Sequence, residues 1–270
     1  MQILVTGHQG LIGRAVVSRL LAEGDGVVGF DAADGQDIRD AAAVAHAAAG
    51  CDAIVHLAAL LGRPEDSAAD IMTVNVTGTW NVLAAARAAG IRRVVSFSSV
   101  NALGIFSGNG TPDYLPIDDA HRPRATTAYG ISKRLGEEMC RCFTRDTGIS
   151  TICIRPPWVC DDARKAAELA KRAANPAAEW TPFWEYGAWV DVDDLAEAVF
   201  LALRCPDPGH VTALVIADDV ASEHAGRDLA ARLLPDVPWR GPPPAGPRAA
   251  LVRCDVAREA FGWQSRRRWA

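Results

Sequence analysis

The sequence predicts an α/β protein: a doubly wound parallel sheet followed by a smaller C-terminal region. Three observations carry that prediction. Short apolar, β-favouring runs alternate with segments of helical period through the first 157 residues. The strand-like runs are continuously apolar rather than alternating, as in sheets covered by helices on both faces. A glycine-rich turn, Thr6 to Gly13 (TGHQGLIG), joins the first strand to the first helix.

In order, QILV opens the first strand, and RAVVSRLLAEG reads as a helix with a glycine at its end. Gly26 to Asp31 is a second strand, RDAAAVAHAAAG a helix ending at Gly50, and Asp52 to Ala59 a third strand. A long helical pattern runs from Ile71 to Ala89, RRVVSFSS is a strand reaching Ser99, AYGISKRLGEEMCRCFTRDTG is helical, and STICIRP is a strand. Beyond Pro157 the segments shorten, and tryptophans gather at Trp158, Trp180, Trp184 and Trp189. The expected division is therefore 1–157 and 158–270, the second part packing over the open end of the first and returning some elements to it. The tryptophans read as a small core, with stacking on a ligand as the alternative. GPPPAGP at Gly241 to Pro247 reads as a surface connection.

Composition narrows the class. The 270 residues are 49% hydrophobic and 23% charged, with a formal charge of -5. A pI near 5.7 argues against a nucleic-acid or anionic-membrane surface. Arg266 to Arg268 are expected to be solvated. The chain shows no signal-peptide pattern and no apolar run of membrane-span length, so a cytoplasmic protein with no membrane partner is expected. Seven scattered cysteines read as reduced, mostly buried thiols, and the six histidines lack ligand-like spacing, so no metal is expected.

The glycine turn suits a dinucleotide. A helix N-terminus at the first strand-to-helix turn presents backbone N–H groups and positive dipole to a pyrophosphate, and glycines admit its close approach. Asp31 ends the second strand, eighteen residues after Gly13. Its carboxylate is placed to accept from both ribose hydroxyls of the adenosine and to repel a 2′-phosphate, which favours NAD over NADP.

Tyr129 and Lys133 stand four apart on one helix face, and Ser98 and Ser99 end a strand facing the same crevice. Together they form a device for moving a proton as a hydride moves. A tyrosine lowered by a nearby ammonium and by the positive nicotinamide ring takes the proton of a substrate hydroxyl, and a serine hydroxyl holds the same oxygen.

With these motifs in hand, the chain resembles an extended short-chain dehydrogenase/reductase of the NAD-dependent epimerase/dehydratase family, which has a Rossmann-like fold. The resemblance is carried, in order, by TGHQGLIG, Asp31, DIRD at Asp37 to Asp40, HLAA at His56 to Ala59, NVTGTWN from Asn75, FSS, YGISK, RPP at Arg155 to Pro157, WVDVDDLAEAV from Trp189 and DVAREAFGW. It implies that Gly7, Gly10, Leu11, Ile12 and Gly13 hold the pyrophosphate. It places Asp37 and Ile38 at the adenine, Leu57, Ala58 and Ala59 beside the cofactor, Asn75 and Pro157 near the nicotinamide, and Lys133 on its ribose. It makes Ser99, Tyr129 and Lys133 the catalytic set. His56 is read as a strand histidine held by packing.

Two departures bear on the substrate. WVCDD follows RPP where the family often has N-V-Y-G-P, which places Trp158 near the expected substrate beside Ser99 and Asn101. No acidic residue follows Ser99 as in the family's dehydratases, and the short C-terminal region is similar in layout to compact uronate dehydrogenases. The expected function is an NAD-dependent oxidoreductase acting on a hydroxyl or carbonyl of a carbohydrate-like small molecule: a sugar, sugar acid or nucleotide-sugar. The alternatives are a sugar 4-epimerase and a non-catalytic dinucleotide sensor. The family also implies a homodimer, through the helices at Ile71 to Ala89 and Tyr129 to Thr147. The segment from Asn101 to Thr127 reads as a mobile cover over the crevice.

Overall fold

The computed structural model describes residues 1–177, 185–246 and 248–269. Its centre is a six-stranded, fully parallel sheet in the order β2-β1-β3-β4-β5-β8. These strands are β1 (Gln2–Thr6), β2 (Gly26–Phe30), β3 (Ala53–His56), β4 (Arg93–Phe97), β5 (Ser150–Arg155) and β8 (His210–Leu214). Successive side chains of a strand go to opposite faces. Ile3 and Val5 accordingly join one core and Leu4 the other.

On the first face lie α1 (Leu11–Ala22), α7 (Val192–Arg204) and α9 (Asp255–Phe261), packed on each other and on the sheet. On the second lie α2 (Ala41–Ala48), α4 (Gly78–Ala88) and α5 (Ala128–Thr147). Between β1 and β3 the chain reverses its direction of travel across the sheet, so the first glycine turn opens beside the end of β3.

Several boundaries differ from the sequence reading, for physical reasons. β3 stops at His56 instead of Ala59 because its partner β1 ends opposite, at Thr6. β4 stops at Phe97 instead of Ser99, although the Ser98 N–H still donates to the Ile154 carbonyl at 2.8 Å. The helix expected from Ile71 starts earlier, as α3 (Ala68–Met72) capped by Ser67, and widens into a π turn over Thr73–Thr77 before α4. That wide turn holds Asn75, whose amide reaches back to Leu60.

After β5 the chain forms β6 (Trp158–Cys160), α6 (Asp162–Ala174), and β7 (Trp189–Asp191), which pairs with β6. It then re-enters the main sheet through α7 and β8, and ends with α8 (Gly226–Leu233) and α9. Buried carboxylates knit this irregular part together. Asp194 accepts from the N–H groups of Arg266 and Arg267, both at 2.8 Å, and Asp219 accepts from the Trp269 N–H at 2.8 Å. The arginine tail is thus anchored through its backbone while its side chains stay largely exposed.

Trp189 and Trp269 are fully buried edge to face at 5.3 Å, and Trp158 is half-buried against Trp269 at 5.9 Å. This part of the tryptophan group is core; Trp180 and Trp184 lie outside the described residues. The expected mobile cover is anchored instead. Leu115 and Ile117 are fully buried, and their backbones pair with Pro238, Arg240, Leu251 and Arg253 at 2.7 to 2.9 Å. Among the described residues no helix is long and apolar enough to cross a membrane.

Candidate active site

The glycine turn shows what each glycine is for. Gly7 has φ +74°, and a Cβ there would lie 2.8 Å from the Ala58 nitrogen. A Cβ at Gly13 would lie 2.2 Å from the Gly7 carbonyl oxygen. Those two are demanded by the fold, where strand, turn and helix pack too closely for a side chain. Gly10 is different: it is exposed, and its Cβ would meet the Gly7 oxygen only at 3.4 Å. It is the N-cap of α1 and gives that helix no side-chain cap, leaving the first backbone N–H groups, those of Leu11 and Ile12, at an uncapped helix start while their side chains pack towards the core. A bare cradle of this kind fits a pyrophosphate.

Asp31 stands at the end of β2, beside that cradle. One carboxylate oxygen accepts from the Gln9 N–H at 2.9 Å, inside the glycine turn, and the other from the Ala33 N–H at 3.0 Å. The contacts aim the group and leave lone pairs on both oxygens. Asp37 is exposed, and the Arg39 guanidinium beside it holds its carboxyl below the usual range. Ile38 is buried beneath Gly78, and its carbonyl accepts from Asn81.

Beyond β3 the chain leaves the sheet through Leu57 and Ala58, whose N–H groups both reach the Thr6 hydroxyl at 3.2 Å. His56 is clamped at both ring nitrogens, by Thr6 at 2.8 Å and Thr79 at 3.1 Å. Burial, helped by the Lys133 charge, pushes it down to about 3, so it is neutral. Asn75 spends its amide on the Leu60 N–H and carbonyl and on the Ser132 hydroxyl, which in turn donates to the Tyr129 carbonyl at 2.8 Å. The resemblance placed Asn75 near the nicotinamide; its side-chain contacts tie the strap after Ala59 to the helix carrying Tyr129.

The Thr127 hydroxyl caps α5 by accepting from the Gly130 N–H at 3.1 Å, which fixes Tyr129 and Lys133 in the first two turns. At the ends of β4 and β5, Ser98 and Val100 bond to the carbonyls of Ile154 and Pro156, so Ser99 and Pro157 follow neighbouring strand ends. Ser99 is buried, and its hydroxyl is close enough to Tyr129 to act on the phenol. The Lys133 ammonium donates to the Phe97 carbonyl at 2.9 Å and lies 5.7 Å from the Tyr129 ring centre.

The electrostatics differ from the sequence expectation in one respect. The Tyr129 hydroxyl is not lowered: burial pushes it up to about 12, the Glu185 charge adds to that, and only the neighbouring Ser99 hydroxyl opposes it. Burial brings the Lys133 ammonium down to about 8. Desolvation outweighs the ammonium here because Lys133 is turned to the Phe97 carbonyl.

Two groups near this site were not read from the sequence. Glu137, one turn after Lys133, is buried in a fork of Arg155, at 2.6 and 2.8 Å, and accepts from Ser98 at 2.6 Å. Its spacing on the Tyr-Lys face was the available signal. Glu185, from the C-terminal part, accepts from the Trp158 N–H and its charge acts on the Tyr129 hydroxyl, and no local pattern marks it. Asn101 donates its N–H to the Ser99 hydroxyl at 3.2 Å, while its side-chain oxygen is buried with no partner. Trp158 sits just past Pro157, its N–H donating to Glu185 at 2.7 Å.

The chain is similar to several known proteins. A uronate dehydrogenase from Pseudomonas syringae pv. tomato is 29% identical over 185 residues, 68% of this chain and 58% of that protein. The chain thus matches little more than half of that relative's length. An L-arabinose 1-dehydrogenase (NAD(P)(+)) from Haloferax volcanii is 28% identical over 238 residues, 81% of this chain and 89% of that one. Among solved structures, a short-chain dehydrogenase/reductase superfamily protein from Agrobacterium tumefaciens with bound NAD is 25% identical, covers 100% of this chain and 94% of its own, and superposes with a TM-score of 0.74. The model of one family, described as the NAD dependent epimerase/dehydratase family, matches residues 3–217. A match over that much of the sequence, on a Rossmann-type sheet with the glycine cradle at its switch point, makes this chain a member of the NAD-dependent epimerase/dehydratase family.

Proposed function

We propose that the protein is an NAD-dependent dehydrogenase that oxidises a hydroxyl of a sugar or sugar-derived molecule. The observation that carries this reading is the convergence of buried Ser99, at a strand end, with Tyr129 and Lys133 of one helix, beside the uncapped glycine cradle. Gly7, Gly10, Leu11, Ile12 and Gly13 hold the pyrophosphate. Asp31 takes the adenosine ribose, Asp37 and Ile38 flank the adenine, and Leu57 to Ala59, Asn75 and Pro157 shape the wall towards the nicotinamide.

NAD, when bound, supplies the hydride acceptor. Ser99 holds the substrate oxygen by its hydroxyl. Tyr129, as phenolate, takes the proton that the oxygen loses as the carbon becomes a carbonyl. Lys133 binds the nicotinamide ribose and, with its positive charge, offsets part of the cost of ionising a buried tyrosine. Residues 1–157 form the dinucleotide part, and 158–270, apart from the elements that rejoin the sheet, supply the substrate side with Asn101 and Trp158.

We place the protein in the cytoplasm as a homodimer. α4 and α5 expose Trp80, 55% accessible, beside an apolar groove lined by Ala84, Met139 and Phe143. The mass in solution tests the dimer; a monomer at working concentration contradicts it. The function is tested by NADH formation with a panel of sugars and sugar acids. Turnover that survives Tyr129→Phe, or absence of NADH with every member, contradicts the reading.

A further inference from the structure

The functional reading leaves the sugar class open, and the groups facing the Ser99–Tyr129 pair narrow it. Among the described residues, three non-glycine residues have left-handed backbones: Ser107 (φ 56°), Glu185 (φ 45°) and Tyr186 (φ 60°). All three meet at one place, beside the substrate end of the site. Such conformations are costly for a residue with a side chain and persist only where the surroundings enforce them. Here the Tyr186 hydroxyl donates to the carbonyls of Ile105 at 2.7 Å and Gly110 at 2.9 Å, and its ring packs on Phe106 at 5.7 Å.

The strained turn aims Glu185. One carboxylate oxygen accepts from the Trp158 N–H at 2.7 Å, and the other lies 3.4 Å from the Ser107 hydroxyl. Burial pushes this carboxyl up to about 7, and its charge acts on the Tyr129 hydroxyl. No cationic side chain among the described residues compensates Glu185. The nearest ammonium in the site, on Lys133, is turned to Phe97. Asn101 adds a second acceptor, its buried and unpartnered side-chain oxygen, two residues past Ser99.

Buried acceptors close to the Ser99 and Trp158 backbones, without matching cations, select a ligand that brings donors. Sugar hydroxyls are donors. A sugar carboxylate is another acceptor, and its charge repels a second carboxylate in a poorly solvated site. We propose that Glu185, with Asn101, is the specificity-determining acceptor for substrate hydroxyls, so that the enzyme takes neutral sugars in preference to sugar acids. This rests on the dehydrogenase reading above and goes beyond it.

The test uses pairs that differ only in a terminal hydroxymethyl group against a carboxylate: D-galactose with D-galacturonate, and D-glucose with D-glucuronate. kcat/KM for NADH formation is measured for wild type and Glu185→Gln above pH 7, where the carboxyl is ionised. Wild type is expected to favour the neutral member by about tenfold or more, and Glu185→Gln to lower that ratio by about tenfold, chiefly through faster turnover of the acid. NAD affinity of the variant, measured beside kinetics, reports whether the cradle is intact. Asn101→Ala is expected to lose efficiency with the neutral sugar at unchanged NAD affinity. A wild-type preference for the sugar acid overturns the inference while leaving the dehydrogenase reading standing, and so does a ratio unchanged in a folded Glu185→Gln. No Tyr129-dependent NADH from either class removes the reading and the inference together.

Discussion

The two ends of the crevice are built in different ways. The dinucleotide end is made of backbone and short-range sequence: three glycines, a helix start, and one carboxylate held by an N–H of the same turn. The proposed substrate end is made of side chains that arrive from distant segments and are joined by hydrogen bonds, as Glu185 is to Ser107 and Trp158. A cradle for a fixed ligand can be encoded locally, because the ligand does not vary. A surface that chooses among sugars is assembled from loops, where single residues can change without disturbing the sheet.

The largest test of that contrast is Tyr129→Phe, which removes the proposed proton acceptor and leaves the cradle intact. Turnover is expected to fall about 10³-fold with NAD affinity almost unchanged. Equal loss of both would mean that the two ends are not separable.

Within the cradle, the glycines themselves divide. Gly13→Ala forces a Cβ against the Gly7 carbonyl and is expected to destabilise the fold by roughly 1–3 kcal/mol or more. Gly10→Ala has room, so its melting temperature is expected to stay near wild type while NAD affinity drops, by about tenfold. Thermal melts and NAD titrations of both variants check this. A Gly10→Ala protein that binds NAD normally would remove Gly10 from the phosphate site.

Asp31→Asn sharpens the same end. Wild type is expected to bind NAD more tightly than NADP, and the neutral amide to narrow that preference by about tenfold, since repulsion of the 2′-phosphate and bonding to the ribose both weaken. Titrations with the two dinucleotides decide it; tighter NADP binding by wild type contradicts the role given to Asp31.

How much of this was legible follows from the same contrast. The glycine turn, Asp31, and the Tyr129–Lys133 pair are visible because spacing along the chain equals placement in space: one turn, or one helix face. The parallel sheet was visible for the same reason, in continuous apolar strands between helices. Glu185 was not, since what makes it unusual is a left-handed backbone and the proximity of Tyr129, and neither has a local signature. The elevated Tyr129 hydroxyl was also hidden. A tyrosine four residues from a lysine suggests a lowered value, yet the lysine turns to the Phe97 carbonyl and burial dominates. The segment after Ser99 looked like a loose cover because its anchors, Pro238 and Leu251, lie more than a hundred residues away.

Glu185→Gln gives smaller effects that still separate the two ends. The Glu185 charge raises Tyr129, so its removal favours the phenolate, and the alkaline rise of kcat is expected to move to lower pH. A pH–rate profile unmoved by the substitution would show that Glu185 does not act on the proton acceptor. The same carboxyl is raised to about 7 from an ordinary 4.5, so the folded state binds its proton more tightly than the unfolded chain. Its contribution to stability is full below about 4.5 and is lost as pH rises through about 7. Above that, Glu185→Gln is expected to melt about 2 °C or more higher than wild type, and to match it more closely in acid. Melts across that pH range check the sign; a lower melting temperature above pH 7 contradicts it.

The central claim is that the Ser99–Tyr129 pair carries out a net oxidation of a sugar hydroxyl, and the amount of NADH formed per sugar consumed tests it most directly. A neutral sugar converted by wild type in the presence of excess NAD is expected to yield one NADH for each molecule oxidised, and none with Tyr129→Phe. Conversion of the sugar to its epimer with no NADH accumulating would contradict the dehydrogenase and identify a 4-epimerase instead.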